Sequence, residues 1–217
     1  MVRLALNKGL DDFLSGYSKL GTPEERQENK VEGSVIYEDV KHLITLYKIV
    51  LAQRDEFSSR ASAFKGISTI LNPEEINSFL QATRDLEGQW NYASTGFVIS
   101  SLIQNSYDAG HNKFHLDTSG LKEIGFMGSY IKGVEGNPLE IEVNGDLRYA
   151  AGSDSEYLLL VLRGKSGHGC GRDTLNSIFK TSDEETLKEI TNNLEIKKSN
   201  KVYFIKEDGS EELVWER

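Results

Sequence analysis

Apolar and polar residues alternate along Leu139-Glu-Ile141-Glu-Val143, which places three apolar side chains on one face of a strand. Nineteen residues further on, Ile141 is answered by Leu160 and Val143 by Leu162; one more step leads from Leu160 to Phe179. Turn residues keep the same step: Gly145 with Gly164, Gly152 with Gly171, Asp154 with Asp173, and Ala151 with Cys170. A fixed internal period is the signature of a repeat architecture. At about 3.3 Å per extended residue, this length closes a loop of about 60 Å, one circuit of a β-solenoid. Such circuits bury their apolar side only by stacking, and Ala151 and Cys170 become small inward residues at a corner. Upstream, Phe114, Leu116, Thr118 and Gly120 match Leu139, Ile141, Val143 and Gly145 at a step of 25, which predicts the same unit with six residues inserted within 126–137. Two consecutive antiparallel hairpins are the competing reading, since only four of 19 positions are identical.

This glycine-spaced repeat, over residues 113 to 180 at most, resembles the coiled β-helix of the C-terminal domain of glutamate synthase large subunits and of a formylmethanofuran dehydrogenase subunit. The resemblance implies architecture and no site, because the tandem glycine motif of those families is not reproduced here.

The N-terminal part has helical periodicity. Leu4, Leu10, Phe13, Leu14 and Tyr17 predict a first helix, and Thr22-Pro-Glu-Glu25 a capping box. Ile36, Val40, Leu43, Ile44, Tyr47, Val50 and Leu51 mark one face of a long helix, with His42 beside it. Asn72 caps a further helix with Ile76, Phe79, Leu80, Thr83 and Leu86 facing inward and Gly88 as its stop. The apolar run Phe97–Ile103 suits a strand or a helix; a helix covering the open end of the stack is favoured. After Thr181 a capping box at Ser182–Glu185 starts a short helix with Leu187, Ile190 and Leu194 on one side. Lys201–Ile205 and Glu211–Trp215 flank Asp208-Gly209, a hairpin signature.

The predicted architecture is therefore α+β: a helical bundle over residues 1–93, packed on a short right-handed parallel β-solenoid of about three coils over 94–217. Helix 182–194 and hairpin 201–215 cap its far end.

Charge and chemistry narrow the function. A formal net charge of −9 disfavours a nucleic-acid backbone as partner. Cys170 is the single cysteine, which fits a reducing compartment, and no apolar run reaches membrane-spanning length. A cytoplasmic protein without a membrane contact is the expectation. Gly164-Lys165-Ser166 lacks the glycine five residues earlier that a phosphate loop needs, since Leu159 stands there. His168 and Cys170, with His111 and His115, are too few and too scattered to predict a metal site. Cys170 reads as a buried, inert thiol. Asp154 and Asp173 read as turn residues capping local N–H groups.

No catalytic residue, cofactor or metal ligand is assigned. Arg148, Lys165, His168 and Arg172 form a candidate interaction strip. The leading expectation is a non-enzymatic protein-binding or assembly protein, through the flat face of the coils, the helical part or self-association. The alternatives are a hydrolase or transferase acting on a small or sugar-like substrate in the groove between the parts, and a nucleic-acid or ribosome-associated factor.

Overall fold

Five rungs of backbone pairing organise the chain. The computed structural model describes residues 42–52, 56–83, 92–121, 124–194 and 199–216. The predicted segments before residue 42, and Leu86 and Gly88, lie outside them. A helix over 42–51 (α1) precedes Glu56–Gly66 (α2), Pro73–Ala82 (α3) and Tyr92–Asp108 (α4). Strands Lys113–Asp117 (β1), Leu139–Asn144 (β2), Leu158–Leu162 (β3) and Ile178–Thr181 (β4) follow; then come helix Glu184–Asn193 (α5) and strands Lys201–Ile205 (β5) and Glu211–Glu216 (β6). The fold is mixed α+β, with a six-stranded sheet in sequence order, parallel from β1 to β5 and antiparallel at β6.

Ile141 pairs with Leu160 and Leu160 with Phe179, each 19 residues on. Phe114 and Val202 extend this row at its two ends, and all five side chains are buried. Burial of each such side chain contributes about 1.5–3 kcal/mol. Pairing recurs on the far side of each circuit, in the bridges Leu147 with Ser166, Lys132 with Glu156 and Glu156 with Leu175.

Two sequence expectations are corrected here. Phe114 lies opposite Ile141, not Leu139, so the first circuit steps by 27 residues and not 25. A slip of two preserves the inward–outward alternation, so the hydrophobic pattern cannot distinguish the two registers. Five of the eight extra residues fall in the turn closed by the Val134–Asn137 bridge; the others precede Ile124. At the far end, Lys201–Ile205 is itself a fifth parallel strand, and only β6 turns back.

The helices meet the ends of this ladder. Helix α4 is buried nearly all round, which is why its apolar run read equally well as a strand. Its Ser100 hydroxyl donates to the Phe126 carbonyl (3.1 Å) and accepts from Gly128 N–H (2.9 Å). One turn on, Gln104 accepts from Lys132 N–H at 2.7 Å and donates to the Lys132 carbonyl at 3.1 Å. Tyr107 then accepts from Val134 N–H at 3.0 Å and donates to the Asn137 carbonyl at 2.6 Å. Helix α3, held by the Asn72–Glu75 capping box, covers the edge of β1 in the same way. Asn77 accepts from Asp117 N–H at 2.9 Å, and Gln81 donates to the Asp117 carbonyl.

At the opposite end Thr186 of α5 accepts from Ser166 N–H, and Asn200 accepts from Ser177 N–H, both at 2.8 Å. The N-cap of α5 is Asp183, whose side chain accepts from Thr186 N–H, and not Ser182 as the capping-box pattern implies. Asp183's own N–H is already taken by the Thr181 hydroxyl, and Glu185 is turned to Lys165.

Close stacking makes some positions intolerant of any side chain. A Cβ on Gly167 would lie 1.9 Å from the Arg148 carbonyl oxygen, whereas Gly136, at φ +80°, has open space around it. Gly167→Ala should therefore cost at least about 3 kcal/mol in urea denaturation, and Gly136→Ala about 1 kcal/mol from backbone strain alone. Ser100→Ala orphans the buried Gly128 N–H and removes one of the two donors to the Phe126 carbonyl, which keeps Ser129 N–H, and should lower unfolding free energy by about 2 kcal/mol in the same measurement.

Candidate binding groove

On the side away from the strands, the three successive connections from β1 to β4 each turn a corner through a four-residue turn. Ser129 N–H bonds to the Phe126 carbonyl, Ser153 to Ala150 and Arg172 to Gly169, at 3.1–3.2 Å. The third residue of each, Gly128, Gly152 and Gly171, has φ of +71°, +66° and +72°, the left-handed conformation a type II turn requires there. The second residues, Met127, Ala151 and Cys170, point into the core and are fully buried.

These stacked corners bring distant residues together. Arg148 and Tyr149 enter the middle turn, His168 and Gly169 begin the next, Arg172 ends it, and Phe126 begins the one before. Together with Ala150 they line an open groove of about 490 Å³. Its floor is aromatic: the Phe126 and Tyr149 rings meet edge to face at 5.2 Å, and Phe97 of α4 backs Phe126 at 4.7 Å. The Arg148 guanidinium lies 5.8 Å from the centre of the Tyr149 ring.

Three of the four strip residues, Arg148, His168 and Arg172, share this groove. Lys165 does not line it: its ammonium pairs with Glu185 of α5 at 3.2 Å, a hydrogen bond that raises its pKa. His168 Nδ1 lies 3.4 Å from Glu189 of α5, with the ring exposed at the groove's rim, and Arg172 Nε lies 3.7 Å from Asp173. Phe126 and Tyr149 were not predicted. Tyr149 sits beside Arg148 in the sequence, but Phe126 aligns with Ala150 only at a step of 24, which the assumed 25 hides.

Beside the groove the chain repeats a left-handed residue at Tyr130, Asp154 and Asp173, with φ of +62°, +54° and +58°. Burial raises the Tyr130 hydroxyl pKa, Asp154 adds to the rise, and Arg60 lies 4.3 Å over the ring. Among the described residues no three His, Cys, Asp or Glu side chains gather as a metal would need. Cys170 is buried and the His168 side chain is 83% exposed, so the two face different surroundings. Burial pushes the Cys170 thiol up to about 12, with the Ser166 hydroxyl as neighbour; at neutral pH it is protonated and out of reach of solvent. No helix among the described residues is long and apolar enough to cross a membrane.

Comparison with known proteins finds no matching family model, no matching curated protein and no matching solved structure.

The buried thiol has a measurable consequence. Unfolded cysteine ionises near pH 8.5, whereas the folded protein keeps this proton to about 12. Between those values the unfolded state binds fewer protons, so stability falls as pH rises, by about 1.4 kcal/mol per pH unit. Cys170→Ala, with the side chain that the equivalent Ala151 already has, removes this contribution. The stability difference between wild type and variant should shift by about 2 kcal/mol in the variant's favour between about pH 8 and about pH 10 in urea titrations.

Proposed function

We propose that the stacked circuits are a short right-handed β-solenoid, of the kind the glycine spacing resembles, and that the protein is a non-enzymatic binding protein. Parallel connections of this type are right-handed almost without exception. In this reading the groove at the stacked corners receives an acidic segment of a protein partner.

The observation that carries the reading is the convergence of Arg148, His168 and Arg172 around Phe126 and Tyr149, on a chain whose net charge is −9. A local cationic groove on an acidic chain attracts acidic segments while the remaining surface repels acidic proteins, so charge supplies selectivity and encounter rate together. Arginine donors form charge-assisted bonds to carboxylates, and the aromatic floor offers apolar area beside them. The groove is open and rimmed by turns, which suits an extended peptide better than an enclosed small substrate.

A fluorescently labelled glutamate-rich peptide tests this by anisotropy. Binding at low salt should weaken steadily as salt is added. Arg148→Gln and Arg172→Gln should each weaken it about tenfold, the loss expected for one charge-assisted hydrogen bond. Lys165→Gln, outside the groove, should leave it unchanged. Equal binding by all three variants contradicts the reading.

A further inference from the structure

The opposite side of the rungs carries a second polar cluster. On the outer face of the sheet Asp117 pairs in register with Asn144, and Arg163 follows Leu162, the partner of Val143, on the next strand. Asp117, Asn144 and Arg163 thus form one row across β1, β2 and the end of β3. Two residues back, His115 and Glu142 form the next row. With Asn77 of α3 and Leu116 these residues line a cavity of about 320 Å³.

The cavity is electrically polarised. At one end Asp117 Oδ1 accepts from the N–H and hydroxyl of Ser119, which lowers its pKa and leaves Oδ2 for a ligand. At the other end Arg163 Nε donates to Glu142 Oε1 at 2.8 Å, leaving the terminal guanidinium N–H groups. Glu142 Oε2 faces His115 Nδ1 at 3.3 Å, so both its oxygens are engaged by cation or imidazole and hold the guanidinium in place. Between the two ends stands the uncharged Asn144.

We propose that this slot binds a small zwitterion of the amino-acid class, its ammonium on Asp117 and its carboxylate on Arg163. Two strand spacings separate the backbones of Asp117 and Arg163 by about 9.6 Å, and the Nε contact to Glu142 on β2 draws the guanidinium toward Asp117 from there. Two charge-assisted hydrogen bonds of about 2.8 Å each leave a gap of about 4 Å at most, which suits amino and carboxylate groups joined through one or two carbons. A ligand with a single charge engages one end of the slot only; a dipolar one engages both. The slot lies on the strand side of the rungs and the groove on the turn side, so this proposal stands independently of the peptide reading.

The test is titration of the full chain, followed by NMR chemical shifts, with glycine and β-alanine as probes and acetate and methylammonium as half-ligands. One of the two zwitterions should bind saturably, at least tenfold tighter than either half-ligand. Asp117→Asn and Arg163→Gln should each weaken it at least tenfold while the melting temperature holds, since both side chains stand at the surface. The idea is overturned if neither zwitterion saturates, if a half-ligand binds as tightly, or if both variants bind like wild type. The half-ligand comparison uses wild-type protein alone, so it decides the matter even where a variant fails to fold.

Discussion

Everything in this molecule depends on a stack of parallel backbone ladders having two ends. Inside the stack each rung finds hydrogen-bond partners above and below. At the ends those groups would face the helices or water unmet, at a cost of about 1–3 kcal/mol for each that is buried. The chain answers with side chains from helices. Asn77 and Gln81 serve the edge of β1, and Ser100, Gln104 and Tyr107 serve the first circuit's far side. Thr186 and Asn200 do the same at the other end. The outermost strand, β6, is handled differently. Its glutamates pair with lysines, as Glu211 does with Lys180, and a register irregularity leaves Val214 as an extra residue, both of which discourage edge-to-edge pairing.

The same stacking generates two chemically distinct surfaces. On the turn side, left-handed corners recur rung after rung, so residues one circuit apart in sequence become neighbours in space, and arginines meet aromatic rings. On the strand side the register aligns outward residues into rows, so an acid on β1 and a base at the end of β3 share a line. Neither grouping has a local spacing that marks it; both follow from the length of the circuit. The inward faces, by contrast, are occupied by the apolar rows and by small residues such as Ala151 and Cys170, whose burial keeps the thiol unreactive.

The limits of reading the chain from its residues are visible in particular elements. The 19-residue step was legible because two circuits of equal length follow one another without insertion. The first circuit was misaligned by two residues, since alternation has a period of two and gives no penalty for an even slip. Helix α2 was not distinguished because it has no apolar stripe; it packs through small residues, with Ser94 donating to the Ser59 hydroxyl and Ser101 to the Ala63 carbonyl. Of the groove, Arg148, His168 and Arg172 could be named from the glycine-rich run and its preceding copy. Lys165 looked equivalent, and only the position of α5 shows why it belongs elsewhere.

By itself, then, the sequence determined what is periodic and local: alternating strands, positive-φ turns, the Asn72 cap, the inward place of Cys170 and an acidic surface. Those features are set by side-chain direction and backbone sterics within a few residues. Tertiary structure alone decided the register of the first rung, which helix covers which edge, and which charges face one another. Those depend on contacts between residues 20 to 40 apart, where insertions change the phase without altering the local pattern.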